Sequence, residues 1–287
     1  MSRRLQAPGP GAISNPAWVL HAVRAGALAV EALSPAGSGR VAGVHARAVS
    51  LVLDAGPVLT LLPAGTPLHP WALVASLEAA AFATVVACAE GASVQVTAGV
   101  MSAGPLRIEF AAAVVVDLGL HHRPAARPGA SLAGFVPPSP ASSGEGPFEA
   151  ILGAALESFQ RGGTPAELAR LVGLGPGFTP AGDDALVGVL AGLDLFRDAS
   201  DAASRCREAL VAALPARLDG CTTRLAAQML VAAAEGLYAE PVLHLLEALG
   251  EGAAVDADHP AVRALASMGE RSGCDTLRGL VAAFARS

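Results

Sequence analysis

Residues 173–195 read GLGPGFTPAGDDALVGVLAGLDL, in which a glycine-rich segment and two acids precede a long apolar run. The last part of this stretch, residues 185–195, is apolar nearly all round, which predicts a helix at the centre of a helical bundle. Thr179 is a favourable N-cap residue, and Pro180 suits the first helical position because no N–H is needed there. The stretch therefore predicts a tight turn that leads directly into a buried helix.

Three glycines, Gly173, Gly175 and Gly177, precede this helix. Glycine loses more backbone entropy on folding than other residues do, so three closely spaced glycines need a structural or functional explanation. One reason is a ligand, because such glycines let backbone N–H groups approach a phosphate or carboxylate. The other is a tight turn before a capped helix, with no ligand. The spacing of the glycines fits neither common nucleotide-binding motif. For the ligand alternative, we expect Gly175, Gly177 and Gly182 to contact a small substrate.

Two adjacent acids, Asp183 and Asp184, are the candidate catalytic residues. Neighbouring helix positions point about 100° apart, so only one of the two side chains is expected to face a site. Two carboxylates repel a bare anion, and a phosphate here would need a bridging Mg²⁺ or an arginine. Alternatively, the facing carboxylate bonds to amide or hydroxyl donors. The metal is left open, with one of these aspartates as its ligand if one binds.

A second motif, GERSGCDT, occupies residues 269–276. Ser272 and Asp275 have the spacing of a capping box, which predicts the start of a helix over residues 274–285. The guanidinium group of Arg271 could instead bind a carboxylate or phosphate through two hydrogen bonds beside that helix start. We therefore expect Arg271, Ser272 and Asp275 at a substrate-binding site.

A third helix start carries the hydroxyls of Thr222 and Thr223. If this start met the two others, the four hydroxyls of Thr179, Thr222, Thr223 and Ser272 would line a polar pocket in an apolar bundle. Thr222 is accordingly a candidate substrate-binding residue. A serine hydrolase is not expected, since the sequence lacks the GxSxG turn.

The first half of the chain has the pattern of a sheet. Residues 41–53 and 58–62 predict a hairpin around the turn at residues 54–57. Further strands are expected at residues 84–89, 93–98, 106–110 and 113–118, with helices near residues 17–33 and 70–83. The fold class is therefore α+β, with a β-rich domain at residues 1–120 that resembles a sandwich or a barrel, followed by a helical domain at residues 147–287 that carries the glycine-rich motif. Between them, residues 121–146 are rich in proline, serine and glycine, which predicts a linker.

Composition excludes several classes of function. Apolar residues make up 53% of the chain, charged residues make up 15%, and the net charge is −6. No basic run is present, so nucleic acid is not an expected partner. The most apolar stretch, residues 71–89, carries Glu78 at mid-span, so neither a membrane span nor an export signal is expected. The low charge favours an oligomer, and four cysteines without a CxxC pair suit a reducing cytoplasm.

The motif at residues 173–184 resembles the GLGPGLTPSGDD signature of a bacterial family that includes the AllH-like subunit of oxamate carbamoyltransferase. This chain has Phe178 for leucine and Ala181 for serine. Residues 269–277 resemble the family's second signature, GHSSGWDTL, with Glu270 and Arg271 in place of histidine and serine and Cys274 in place of tryptophan. Residues 44–51 resemble an N-terminal segment of the form VHSxFxRxxNL.

This resemblance implies a role in carbamoyl transfer between carbamoyl phosphate and oxamate, within purine (allantoin) breakdown, alongside other carbamoyltransferase subunits. Both substrates are small anions, which helix N-termini and an arginine suit. The resemblance leaves three hypotheses open: a transferase component that works with other subunits, a stand-alone metal-dependent enzyme on a small phosphorylated or amide substrate, and a non-catalytic scaffold subunit.

Overall fold

The computed structural model describes residues 18–54, 56–120, 147–218 and 220–286. The chain divides into two compact units. Of the described residues, one unit comprises those within 18–66 and 72–115, and the other comprises residues 67–71 and 116–120 and those within 147–286. The predicted linker at residues 121–146 lies outside the described residues, and the domain boundaries stay a prediction.

The first unit is a closed β-barrel. Its strands are β1 (Trp18–Gly26), β2 (Gly37–His45), β3 (Ala48–Leu53), β4 (Val58–Leu62), β5 (Ala72–Ala75), β6 (Ser93–Thr97), β7 (Val100–Ala103), β8 (Leu106–Glu109) and β9 (Val114–Val116). Within the described residues the strand order is β5-β4-β3-β2-β6-β7-β8-β1-β9, and an added β1–β5 pairing closes eight strands into the barrel. The β1–β8 and β4–β5 pairs are parallel. This arrangement confirms the predicted α+β class and selects a barrel over a sandwich.

The hairpin between residues 41–53 and 58–62 is confirmed as the antiparallel β3–β4 pair. The first of these segments, however, is two strands, because β2 and β3 turn at Ala46 and Arg47 and pair with each other. Ala55, in the predicted turn, lies outside the described residues. The short strand β7 was not predicted, since it fills only the space between the turns at Gly99 and Gly104.

Three predictions in this unit were wrong. Residues 18–26 form a strand, and the helix α1 covers only Ala27–Leu33. Likewise, β5 occupies the start of the predicted helix at 70–83, and α2 spans Ala79–Val86. The strand predicted at 84–89 is the end of α2 followed by a 3₁₀ turn at Ala87–Ala89. The β-branched residues there favour a strand in isolation, but burial of Val85, Val86 and Phe82 on one face of a helix prevails.

The second unit is helical. Its helices are α3 (Pro147–Gln160), α4 (Pro165–Leu168), α5 (Ala181–Phe196), α6 (Asp201–Ala213), α7 (Pro215–Leu218), α8 (Arg224–Ala234), α9 (Glu240–Gly250), α10 (Pro260–Ala266) and α11 (Ser272–Phe284), with a 3₁₀ turn at Ala169–Leu171. As the sequence predicted, α5 is central, and from Ala185 to Leu195 every residue is buried. No helix in the described part of the chain is both long and apolar enough to cross a membrane.

Candidate functional site

Helices α5 and α11 pack so closely that glycines of one helix lie against backbone atoms of the other. A Cβ atom on Gly188 would overlap the carbonyl oxygen of Thr276, so glycine is needed where the helices cross. Farther along, a Cβ atom on Gly192 would lie 2.6 Å from the Cβ of Ala283. The contacts thus advance in the same direction along both helices. Consequently the two motifs, which precede α5 and α11, lie at the same end of the pair.

The two motifs are joined by a pair of hydroxyl groups. The Oγ1 atom of Thr179 lies 2.7 Å from the Oγ of Ser272, within hydrogen-bond distance. Both side chains are half-buried. This contact explains why neither hydroxyl acts as a helix cap.

The predicted caps were therefore wrong at both helix starts. Pro180 is the N-cap of α5 rather than its first residue, and it has no side-chain cap. The N-cap of α11 is Arg271, and Ser272 is already helical, so the capping box of Ser272 and Asp275 does not form. The Thr179 hydroxyl bonds across to the other helix start, and Asp275 turns toward arginines instead.

Asp183 clamps the glycine-rich loop. Its Oδ1 accepts a hydrogen bond from the Gly173 N–H at 3.0 Å, and its Oδ2 accepts one from the Thr222 hydroxyl at 2.5 Å. Gly173 has a φ of 77°, and a Cβ atom there would overlap the carbonyl oxygen of Cys221. Burial raises the pKa of Asp183, and these two hydrogen bonds oppose the rise. Asp183 thus ties the loop to the segment before α8, and its side chain is fully buried.

Asp184 points to a different side, as expected for adjacent helix positions. The hydroxyls of Ser272 and Thr179 lie against its carboxyl group. Its Oδ2 is buried and has no hydrogen-bond partner among the described residues. Burial raises the pKa of Asp184 well above its usual value; the two hydroxyls oppose this rise, and the nearby carboxyls of Asp275 and Asp183 add to it. Burial thus disfavours the charged form of this carboxyl, and the protonated form can donate a hydrogen bond.

Arg271 does not stand free beside the helix start. Its guanidinium group contacts the carboxylate of Glu149, and its Nε lies 3.7 Å from the Oδ2 of Asp275. The same group lies 5.3 Å from the ring centroid of Phe148. Asp275 is completely buried. The positive charge of Arg271 is thus shared between two carboxyl groups of the chain itself.

Sequence reasoning missed two members of this cluster, Glu149 and Arg278. The NH1 of Arg278 donates hydrogen bonds to Glu149 Oε2 at 2.7 Å and to Asp275 Oδ1 at 3.2 Å. Burial opposes ionisation of Glu149, but hydrogen bonds from Arg278 and Arg271 prevail and hold its pKa below the usual value. The position of Arg278 three residues after Asp275 was an available signal. Nothing near Glu149 in the sequence points to it.

Three backbone N–H groups at the start of α5, those of residues 182–184, are already hydrogen-bonded within the chain. The N–H groups of Asp183 and Asp184 bond to the carbonyl of Pro180, and that of Gly182 bonds to the carbonyl of Leu174. By contrast, in the described part of the chain the N–H groups of the other two candidate glycines, Gly175 and Gly177, make no hydrogen bond. A side chain at Gly177 would meet open space, so the loop tip is accessible.

The start of α8 joins the same corner. Thr223 caps α8 by accepting a hydrogen bond from the Ala226 N–H at 3.1 Å, and its hydroxyl donates to the Phe178 carbonyl at 2.5 Å. With the Thr222–Asp183 bond, this brings all three predicted helix starts together. The side chain of Phe178 remains outside, with 56% of its surface exposed.

No metal centre forms among the residues that the structure describes, where no group of three or more His, Cys, Asp or Glu side chains could hold an ion. One further titratable group in the helical unit is His69, whose side chain is half-buried. Burial lowers its pKa from 6.5 to about 4, and its Nδ1 accepts a hydrogen bond from the Trp71 N–H at 3.3 Å.

The comparisons with known proteins agree with the two motifs. Residues 171–284 match the family model described as oxamate carbamoyltransferase subunit AllH, and this segment contains both signatures. A search of curated proteins and a search of solved structures each gave no match. The N-terminal segment at residues 44–51 lies outside the matched part, and its resemblance stays a prediction. Over residues 171–284 the chain is similar to the AllH family, as its two signatures predicted.

Proposed function

We propose that this chain is a subunit of an oxamate carbamoyltransferase-like enzyme of purine (allantoin) breakdown and binds carbamoyl phosphate or oxamate where α5 and α11 begin. In that reaction the amide nitrogen of oxamate attacks the carbamoyl carbon, the bond from that carbon to the phosphate oxygen breaks, and the proton that the nitrogen loses passes to the released phosphate. The products are oxalurate and inorganic phosphate.

The observation that carries this proposal is the buried, unpartnered Oδ2 of Asp184 beside the Thr179–Ser272 hydroxyl pair. A buried polar atom without a partner is costly, and a ligand that bonds to it recovers that free energy. In its neutral form, toward which burial shifts it, the Asp184 carboxyl presents a donor to a carbonyl or carboxylate oxygen. Both carbamoyl phosphate and oxamate carry such an oxygen.

The remaining contacts follow from the same corner. The N–H groups of Gly175 and Gly177 are the available backbone donors for an anionic group or a developing oxyanion. Glu149, Asp275 and the two arginines position the start of α11, because every charge in that cluster is paired within the chain. Asp183 holds the loop in place. In this account Asp184 is the residue that touches substrate, and Gly182, Thr222 and Arg271 act through their neighbours.

Calorimetric titration of the purified full chain with carbamoyl phosphate and with oxamate tests the binding step. We expect Asp184→Ala to weaken binding of at least one of them tenfold or more, since a lost buried hydrogen bond costs about 1.4 kcal/mol or more. Asp184→Asn keeps a neutral donor and should bind within a few-fold of the wild type. Asp201→Ala removes an exposed acid from the first turn of α6 and is the matched control. Equal affinities in all four proteins would contradict the proposal.

An assay of oxalurate formation, with and without the partner subunits, distinguishes the other hypotheses. The subunit account predicts turnover only in the reconstituted enzyme. Turnover by the chain alone would favour a stand-alone enzyme. If the reconstituted enzyme keeps full activity with Asp184→Ala in this subunit, the chain is a scaffold and the site proposal is wrong.

A further inference from the structure

A cavity of about 580 Å³ lies beside the start of α8, within the helical unit. Trp71, Pro215, Leu218 and Val231 give it an apolar wall. A smaller apolar cavity of about 270 Å³ shares three of these residues and extends this side. Ligand sites in proteins have about this size and this mixture of surfaces. The motifs at residues 173–184 and 269–277 contribute nothing to its described lining, which includes Thr222 and Thr223 from the third helix start.

The cavity is too large for the substrates proposed above. Since a water molecule occupies roughly 30 Å³ of liquid, the cavity has the volume of about 20 waters, which is several times what oxamate or carbamoyl phosphate displaces. It can therefore hold a larger body, and its apolar wall favours one that is aromatic or aliphatic.

Trp71 forms part of the apolar wall, and its buried Nε1 atom makes no hydrogen bond among the described residues. Its backbone N–H donates to His69. Trp71 therefore offers the occupant an aromatic surface rather than a hydrogen-bond donor.

The charged residue in the cavity lining indicates the charge of the ligand. Arg224 is the charged side chain among the described residues that line the cavity, and it is exposed at the mouth. It is also the first residue of α8, an eleven-residue helix whose N-cap is Thr223. No carboxylate is among the described lining residues of this cavity, and Glu235 lines the smaller cavity beside it. The cavity therefore favours an anionic group at its mouth and an apolar body inside.

We infer that this cavity is a second ligand site, for an amphipathic anion that places a carboxylate, sulfonate or phosphate at Arg224 and an aromatic or aliphatic body against Trp71. The inference does not depend on the proposed carbamoyl transfer. The wall of this site includes Thr222, whose hydroxyl bonds to Asp183. Occupancy therefore touches the residue that anchors the clamp of the glycine-rich loop.

The test uses two fluorescent probes with one ring system, 8-anilinonaphthalene-1-sulfonate and its uncharged analogue N-phenyl-1-naphthylamine. The full chain carries Trp18→Phe, so Trp71 is its sole tryptophan and energy transfer reports binding near that ring. The sulfonate should saturate with energy transfer from Trp71 and bind at least fivefold more tightly than the uncharged probe.

Two variants locate the bound sulfonate. Arg224→Gln should remove the preference for the charged probe, and Ala227→Leu, which fills the cavity from α8, should abolish binding of both. Arg205→Gln changes an exposed arginine of α6 and should alter nothing. Circular dichroism and unfolding temperature confirm that each variant folds. Absence of energy transfer in the parent chain, or affinities unchanged by Arg224→Gln and Ala227→Leu in folded protein, would overturn the inference.

Discussion

Thr179 and Ser272 are 93 residues apart in the sequence, and their hydroxyl oxygens lie 2.7 Å apart in the structure. Each belongs to one of the two motifs, and each lies where a central helix begins. The contact exists because α5 and α11 run in the same direction and touch through glycines. The contact joins the two motifs into one site, whereas helix capping alone would have left them separate.

A double-mutant cycle should detect this contact. Thr179→Val and Ser272→Ala should each lower the free energy of unfolding by about 1 kcal/mol, and the coupling between them should be about 0.5 kcal/mol or more. Urea unfolding of the four proteins gives the value. Strictly additive effects would show that the two hydroxyls are not bonded in solution.

The helix crossing predicts a large effect of one methyl group. Gly188→Ala and Gly279→Ala would each drive a Cβ atom into a carbonyl oxygen of the partner helix, and each should destabilise the protein by about 1–3 kcal/mol. Gly153→Ala, on α3, places its Cβ in open space and is the control. That control should be neutral or stabilising by about 0.5–1 kcal/mol, because alanine favours helix. Thermal unfolding in which all three variants behave alike would contradict the close packing.

Asp184 predicts a pH dependence. Because burial raises its pKa well above the usual value, the stabilisation from its bound proton is complete at low pH and is lost as the pH rises through the raised pKa. Asp184→Asn stays neutral throughout. The variant should therefore gain stability relative to wild type as the pH rises from about 5 to about 8. A stability difference that is constant across this range would show that the Asp184 pKa is ordinary.

His69 predicts the opposite slope. Its pKa is lowered from 6.5 to about 4, so the unfolded chain binds a proton in this window and the folded chain does not. Stability is thus lost as the pH falls from 6.5 toward about 4, by an amount on the order of 2 kcal/mol. Asparagine at position 69 keeps an acceptor for the backbone N–H of Trp71 and carries no titrating group. His69→Asn should remove this component of the pH dependence, and an unchanged pH profile would refute the assignment.

The sequence predicted the parts of the fold whose signals are local. The apolar pattern of residues 185–195 gave a central helix, and the glycine-rich turn and the acids marked its start. Strand β1 and strand β5 were predicted as helix, because alanine-rich barrel strands resemble buried helix when neither period is sustained. Closure of a barrel, which decides these cases, depends on pairings far apart in the sequence.

The candidate site was predicted in its residues but not in its contacts. The motifs named Asp184, Thr179 and Ser272, yet helix chemistry alone assigned the hydroxyls to caps. The contact across the helices follows from Gly188 and its neighbours, which look unremarkable inside an apolar run. Glu149 carries no signal at all, since its partners are supplied by a helix more than a hundred residues later.

The most direct test of the central claim is a crystal structure of this chain soaked with carbamoyl phosphate, oxamate and Mg²⁺. The account predicts ligand density within hydrogen-bond distance of Asp184 Oδ2, beside Thr179 and Ser272, with the Gly177 N–H turned toward it. A bound ligand located elsewhere on the chain, with that corner closed by protein side chains, would contradict it.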